Sequence, residues 1–147
     1  MTEGVVIVAA RWAYHIYLGL HAYICQPNRY IRPVSHMGFY LDKKVMPEIA
    51  KIEQAYPAVS VTEEEAMKYE QSDNPSDVRL AELMRWRMAD PSFEPTNDFY
   101  LLSSPRDEST IRLAAPIPHA GESAWTQYQR YVSLDRLKVA TSTADLV

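Results

Sequence analysis

The sequence predicts an α+β fold, built from a mostly antiparallel sheet and two or three short helices. Apolar, β-branched and aromatic runs occur towards both ends of the chain, helical patterns occupy its middle, and proline-containing loops separate these segments. The chain has 147 residues, of which 47% are hydrophobic and 23% are charged. This length and composition predict a single soluble globular domain covering residues 1–147.

The first third of the chain is predicted to contain three strands. Residues 4–10 form a short, β-branched apolar run that ends at Arg11, as a buried strand does. Residues 36–41, the charged turn 42–44 and residues 45–52 indicate a hairpin, and Pro57 is expected to close this part of the chain.

Residues 11–24 fit two patterns. Trp12, Ile16, Leu20 and Tyr23 fall on one face of a helix, but apolar and polar residues also alternate as in a strand. A helix is favoured, and Pro27 ends the segment in either case.

Two helices are predicted in the middle of the chain. Thr62 and Glu65 have the spacing of a capping box, which predicts a helix that continues to about Tyr69. Ser76 or Asp77 is expected to begin a second helix, which runs through Met88.

The last third is predicted to return to strands. Residues 99–102 and 110–113 are expected to pair across a polar turn, and residues 125–132 to form a further strand. Ser133 is expected to cap a final helix over residues 134–140, with Leu134 and Leu137 facing inwards. The strand over residues 5–9 and the strand over residues 128–132 are both short and apolar, so we expect them to lie in one sheet.

Charge is distributed unevenly along the chain, whose net charge is −4. Residues 1–52 carry a net charge of +3, residues 53–98 a net charge of −7, and residues 99–147 none. A positively charged face built from the two ends is therefore compatible with the acidic total. The apolar stretch near the start contains Arg11, histidines and tyrosines, which argues against a membrane span. The single cysteine, Cys25, fits a cytoplasmic location.

The usual catalytic and metal-binding patterns are missing from the sequence. The four histidines lack the spacing of a paired zinc site. Arg29 lies near Cys25 in sequence, but nothing else in the sequence supports a catalytic thiolate there. The acidic run at residues 63–65 is explained by its position at a helix start, and four glycines are too few for a phosphate-binding loop. No catalytic residue, metal or cofactor is predicted.

Cationic and aromatic residues remain as the candidates for ligand binding. The loop between Cys25 and Tyr40 contains the motif Arg29-Tyr30-x-Arg32, with His36 close behind it. Arginine pairs with phosphates and aromatic rings stack on bases. The alternative is that the aromatic residues belong to the core and the arginines to the solvated surface. The candidate ligand-binding residues are Arg11, Trp12, Arg29, Tyr30, Arg32, His36, Trp125 and Arg130.

The C-terminal segment, residues 129–146, resembles the ending of small PUA-like domains of the EVE and ASCH type. Its sequence QRYVSLDRLKVATSTADL reads as a strand, a serine cap, a leucine-containing helix and a threonine-containing finish that ends at Leu146. The residues around Gly38–Tyr40 and 45–49 are similar to the barrel hairpins of these domains. The resemblance implies a barrel-like sheet, recognition of nucleic acid or a modified base, and a role in prokaryotic defence.

Two functions from different classes follow. The first is a non-enzymatic module that binds a nucleotide or single-stranded nucleic acid through arginine–phosphate pairs and aromatic stacking. The alternative is a partner-binding or regulatory protein, such as a homodimer, whose apolar N-terminal segment forms the interface. A pocket lined by arginine and aromatic residues favours the first, and a large flat apolar patch favours the second.

Overall fold

A computed structural model of the chain describes residues 4–27, 31–90, 92–121, 125–126 and 129–146. These residues form an α+β fold, and of the strand pairings with a defined register only that of β1 with β3 is parallel. The strands are β1 (Gly4–Ala9), β2 (Ala22–Cys25), β3 (His36–Leu41), β4 (Lys44–Val45), β5 (Glu48–Ser60), β6 (Thr96–Leu102), β7 (Ile111–Arg112), β8 (Ile117–Pro118) and β9 (Gln129–Ser133). The helices are α1 (Ala13–Leu20), α2 (Glu63–Glu70), α3 (Pro75–Met88) and α4 (Leu134–Val139), and a 3-10 turn covers Thr143–Leu146. The predicted α+β class with a mostly antiparallel sheet is thereby confirmed.

The described residues divide into two compact units. The basic unit comprises residues 4–21, 31–52 and the described part of 102–146, with ten Lys or Arg side chains against six Asp or Glu. The acidic unit comprises residues 22–27 and the described part of 53–101, with four Lys or Arg against eleven Asp or Glu. Opposite charges are thus concentrated in different units.

The basic unit is organised around β1. This strand pairs in parallel with β3, from Val5 opposite His36 to Ala9 opposite Tyr40, and antiparallel with β9. The prediction that the two chain ends share a sheet is therefore confirmed for the described part of β9; Tyr128 lies outside the described residues. The core that this sheet buries consists of Val5, Ile7, Tyr40, Val45, Ile49, Ile117, Trp125, Val132, Leu134, Leu137 and Leu146.

The predicted hairpin after residue 36 forms between β3 and β4, with Asp42 and Lys43 in its turn. Both turn residues have positive φ angles, 51° and 60°. Positive φ at both central positions is the geometry that matches the twist of two antiparallel strands, although glycine and asparagine adopt it at lower cost. The barrel-like closure that the resemblance implies stays a prediction.

The helix predicted after Arg11 is confirmed for residues 13–20 and wrong beyond them. His21 adopts a left-handed conformation with φ of 57°, and its N–H donates to the carbonyl of Tyr17. This geometry ends the helix, because the chain turns away from the helical direction there. Ala22–Cys25 instead form β2, which pairs with residues 98–101 of β6 in the acidic unit.

Both central helices form, in the acidic unit. The Thr62 hydroxyl accepts from the Glu65 amide, as the predicted capping box requires, but the Glu65 carboxylate accepts from Lys68 instead of reaching back. The second helix begins two or three residues earlier than predicted, because Asn74 supplies the cap and accepts from the amide of Ser76. Ser76 and Asp77 are therefore inside the helix.

Two further expectations were wrong. Residues 111–112 pair with Glu48 and Ile49 of β5, not with residues 99–102. Pro57 does not end its segment, since β5 continues to Ser60. The strand tolerates this proline because the next residue, Ala58, adopts a φ of 49° and donates its amide to a carboxylate oxygen of Asp98 at 2.7 Å.

The C-terminal helix follows the prediction closely. Ser133 caps α4 by accepting from the Arg136 amide, and Leu134 and Leu137 are buried. No helix among the described residues is both long and apolar enough to cross a membrane.

Candidate ligand-binding site

The carboxyl ends of the parallel strands β1 and β3 lie side by side. Their pairing continues one residue past β1, where the Ala10 amide donates to the Tyr40 carbonyl at 2.8 Å. The chain then leaves β1 through Arg11 and leaves β3 through the Asp42–Lys43 turn. The carboxyl end of parallel strands is the edge at which α/β sheets usually bind ligands, because the outgoing loops separate and leave a crevice.

A pocket of about 480 Å³ occupies this edge, and we call it the carboxyl-end pocket. This volume falls within the range of small-molecule sites. Its polar lining comes from Arg11, Tyr40, Asp42, Lys43 and Thr126, and its floor includes Ala9 and Ala10. Arg11 is exposed and has no acidic partner among the residues that the structure describes. The pocket thus contains two cations and one carboxylate.

Lys43 is held in place from two directions. Its backbone is fixed by the left-handed turn, and its ammonium group donates to the Gly121 carbonyl at 2.8 Å. A left-handed lysine stores some conformational strain, and such strain is concentrated at ligand-binding and catalytic sites. The fixed backbone and the tethered ammonium give this charge a defined position at the pocket.

Trp12 lies next to Arg11 in sequence, and its side chain is 74% exposed. It precedes α1 directly and does not contribute to the lining of the carboxyl-end pocket. An indole this exposed is unusual in a folded protein, because most tryptophan surface is buried. Trp12 is therefore an aromatic surface that solvent or a ligand can reach.

Trp125 is buried in an aromatic cluster behind the pocket. Its backbone amide donates to the Tyr40 hydroxyl at 3.2 Å, and the two rings lie 5.7 Å apart. Tyr40 also meets the edge of the His119 ring, and His119 Nδ1 is 2.6 Å from the Thr143 hydroxyl oxygen. The cluster connects the pocket wall at Tyr40 to the C-terminal segment.

Arg130 covers the outer side of this cluster. Its guanidinium carbon lies 4.6 Å from the centroid of the Trp125 ring, within cation–π distance. A smaller pocket of about 210 Å³ opens here, lined by Trp125, Arg130 and His119 among others. Trp125 and Arg130, which were both candidates from the sequence, are thus in contact, but the indole ring of Trp125 belongs to the core.

Arg32 lies elsewhere in the basic unit. Its guanidinium carbon is 3.7 Å from the centroid of the Tyr131 ring, and its amide donates to the Tyr131 hydroxyl at 2.9 Å. Arg130 and Tyr131 are successive residues of β9, so their side chains leave opposite faces of the strand. The two arginine–aromatic pairs therefore do not form one site.

His36 is the last sequence candidate within the described residues. Its Nδ1 lies 2.7 Å from the Ser35 hydroxyl, and it sits at the start of β3, opposite Val5 and Lys51. It is therefore at the other end of β3 from the carboxyl-end pocket. Arg29 and Tyr30 lie outside the described residues.

Asp42, Lys43 and Thr126 are pocket residues that were not among the candidates selected from the sequence. Lys43 read as an ordinary turn cation, and Thr126 had no motif around it. The signal that points to them is indirect: the unbroken apolar run Val5–Val8 is typical of a strand buried on both faces, as in parallel pairs. A parallel pair would have directed attention to the residues following each strand.

Two tyrosines of α1, Tyr14 and Tyr17, are held in their neutral form. The Tyr14 hydroxyl donates to the Glu48 carboxylate at 2.7 Å, and burial together with this bond raises the pKa of Tyr14. Burial raises the pKa of Tyr17 to about 12, and its hydroxyl donates to the Ser103 carbonyl. Both phenols therefore remain protonated at neutral pH and serve as hydrogen-bond donors within the fold.

The described residues contain no group of three or more His, Cys, Asp or Glu side chains placed to hold a metal ion. The chain matches no protein-family model, and no curated protein is significantly similar to it.

Proposed function

We propose that the basic unit is a non-enzymatic binding module for a nucleotide or a short single-stranded nucleic-acid segment, held at the carboxyl-end pocket. The observation that carries the proposal is the meeting of Arg11 and Lys43 at the carboxyl ends of two parallel strands. A cytoplasmic, prokaryotic setting such as a defence system belongs to the same proposal, on the strength of the PUA-like resemblance.

Phosphate binding is assigned to the two cations. The Arg11 guanidinium offers several N–H donors in one plane, which suits the paired oxygens of a phosphate. Lys43 adds a compact charge whose position is already fixed by the bond to Gly121. A ligand that meets prepositioned charges loses less conformational freedom on binding.

Asp42 makes the pocket selective. Its carboxylate lies in the same wall as the two cations, so a purely anionic ligand would be repelled there. A ribose hydroxyl or a base amino group would instead donate a hydrogen bond to it. The combination of two cations and one acceptor therefore suits a nucleotide better than inorganic phosphate.

Base stacking is assigned to Trp12, which follows Arg11 in sequence and exposes most of its indole. Tyr40 lines the pocket, but it is only 5% exposed, so its ring is a part of the wall and not a stacking surface. Stacking of a base on an aromatic side chain contributes about 1–3 kcal/mol, whatever the base. The expected recognition is therefore weakly dependent on sequence.

The test is a fluorescence-anisotropy titration of labelled oligoadenosine and of its duplex with oligouridine, at about 50 and 200 mM salt. The single strand is expected to bind more tightly than the duplex. Arg11→Gln should weaken binding, and the slope of log K against log salt should fall by about 0.7, the value for one lost phosphate contact on a single strand.

Lys43 and its neighbour provide a matched pair of variants. Lys43→Gln is expected to weaken binding in the same way, whereas Lys44→Gln removes an adjacent exposed charge that does not line the pocket and should leave binding nearly unchanged. Equal losses in the two variants would show only a general charge effect. Absence of binding to either nucleic acid would retire this proposal in favour of the partner-binding alternative.

A further inference from the structure

A second pocket, of about 660 Å³, lies at the amino end of β1. It includes Gly4, the first residue of the strand, whereas the carboxyl-end pocket includes Ala9, the last one. Five residue steps of extended chain separate these positions by about 16 Å. The second pocket, which we call the Arg32 pocket, is therefore distinct from the site proposed above.

One wall of the Arg32 pocket is a fixed aromatic ring. The Tyr131 hydroxyl oxygen accepts from the Arg32 amide at 2.9 Å and from the Gln129 side-chain amide at 3.0 Å. The ring is also held at its base by the pairing of Tyr131 with Val6 in the sheet. Tyr131 is thus a rigid support for whatever stacks on it.

The Arg32 guanidinium lies on this support, 3.7 Å from the ring centroid. Among the described residues no carboxylate pairs with Arg32, whose side chain is exposed. The structure therefore places an unneutralised cation over a fixed ring in the lining of the pocket.

The rest of the lining is of two kinds. Arg136 and the Ser133 hydroxyl add a second cation and a hydrogen-bonding group, and Asp135 is the single carboxylate in the lining. Val34 and Leu146 add an apolar surface, whereas the Val132 side chain faces the core on the opposite side of β9 from Tyr131. Polar groups that bind an anionic head next to apolar groups that bury a hydrocarbon body are the pattern of a site for an amphiphilic small molecule.

We propose that the Arg32 pocket is a second ligand site, which binds a small organic anion: a phosphate monoester or carboxylate joined to an aromatic or aliphatic body. Arg32 and Arg136 bind the anionic head, and the apolar wall buries the body. This assignment is independent of the nucleotide proposal, because it involves different residues at the opposite end of β1.

The experiment titrates ¹⁵N-labelled protein with phenyl phosphate and follows the backbone amide resonances by NMR. The amides of Arg32, Tyr131 and Ser133 are expected to shift in a saturable way, and Arg32→Gln is expected to weaken binding at least about tenfold, as the loss of one charge-assisted pair does. Arg112→Gln, which removes an exposed arginine of the same unit outside the pocket, should leave the affinity unchanged.

Two comparison probes and two variants make the result decisive. Inorganic phosphate lacks the apolar body and benzyl alcohol lacks the charge, so each is expected to bind more weakly than phenyl phosphate. Equal binding of either probe, an unshifted Tyr131 amide, or full affinity in both Arg32→Gln and Arg136→Gln would overturn the proposal. Arg11→Gln must leave phenyl phosphate binding intact, which separates failure of this site from failure of the nucleotide site.

Discussion

The guanidinium of Arg130 sits over the indole of Trp125, with 4.6 Å between the guanidinium carbon and the ring centroid. Trp125 is 7% exposed, so the arginine acts as the outer cover of a core residue. This relationship joins the surface of β9 to the aromatic cluster behind the carboxyl-end pocket. It also yields the first of four predictions about stability and reactivity.

A double-mutant cycle is expected to detect coupling between Arg130 and Trp125 of about 0.5–1 kcal/mol, the usual size of a partly exposed cation–π contact. The variants are Arg130→Gln, Trp125→Phe and the combination, each measured by urea unfolding. Arg106→Gln with Trp125→Phe is the control cycle, since Arg106 is an exposed arginine without a ring contact among the described residues. Additive effects in the first cycle would show that the two side chains only lie near each other.

Ala58→Gly is expected to stabilise the protein by about 0.5–1 kcal/mol, because Ala58 has a φ of 49° that glycine adopts without steric cost. The hydrogen bond that the Ala58 backbone N–H donates to the Asp98 carboxylate does not involve the side chain and is unaffected by the change. The control is Ala55→Gly in the same strand, whose φ is not positive and where glycine should destabilise by a similar amount. Thermal and urea unfolding measure both, and a destabilised Ala58→Gly variant contradicts the prediction.

Acid stability is expected to depend on Asp77. The Tyr56 hydroxyl at 2.6 Å, and then the Ser72 hydroxyl, donate to its carboxylate and lower its pKa below the ordinary value of 3.8. A carboxyl group whose pKa is lowered by folding stabilises the fold at pH values above its pKa in the unfolded chain. This contribution is lost as the pH falls through its pKa in the folded protein.

Tyr56→Phe should therefore flatten the decline of the unfolding free energy below pH 3.8. Tyr69→Phe is the matched control, because its ring packs against Tyr56 but its hydroxyl has no hydrogen bond among the described residues. The two variants are compared by urea unfolding at a series of acidic pH values. If the unfolding free energy of Tyr56→Phe falls with pH as steeply as that of the parent protein, the hydrogen bond to Asp77 does not contribute to acid stability.

Cys25 is expected to react slowly with a thiol probe in the native protein and rapidly in denaturant. It is 7% exposed in β2, where it pairs with Asp98 of β6. A probe can reach a buried thiol only when the structure around it opens, so burial slows the reaction of the native protein. Absorbance-monitored labelling measures both rates, and rapid native labelling would restore Cys25 as a nucleophile.

Local signals in the sequence were enough to predict most elements of the fold. The apolar run at β1, the Thr62 cap and the Ser133 cap each identify their element from neighbouring residues alone. Pairing partners were harder to predict. The partner of β7 is β5 rather than β6, because pairing is decided by contacts distant in sequence that no local pattern encodes.

Only part of the candidate site could be predicted, because it too depends on contacts between residues that are distant in sequence. Arg11 was selected as a cation, but only the parallel register of β1 and β3 brings it to one edge with Tyr40 and Lys43. Conversely, Arg32 and Arg130 were grouped by residue type. The alternation of side chains along β9 separates their aromatic supports onto opposite faces.

That alternation limits how β9 can change over evolution. Arg130 and Tyr131 serve different pockets from neighbouring positions, so loss of one residue within Gln129–Ser133 would exchange the faces of all side chains beyond it. Substitutions here can be accepted one at a time, whereas insertions and deletions are tolerated only if they preserve the two-residue repeat. Sequences that descend from this chain should therefore differ in the residue types of β9 but keep the length of the strand.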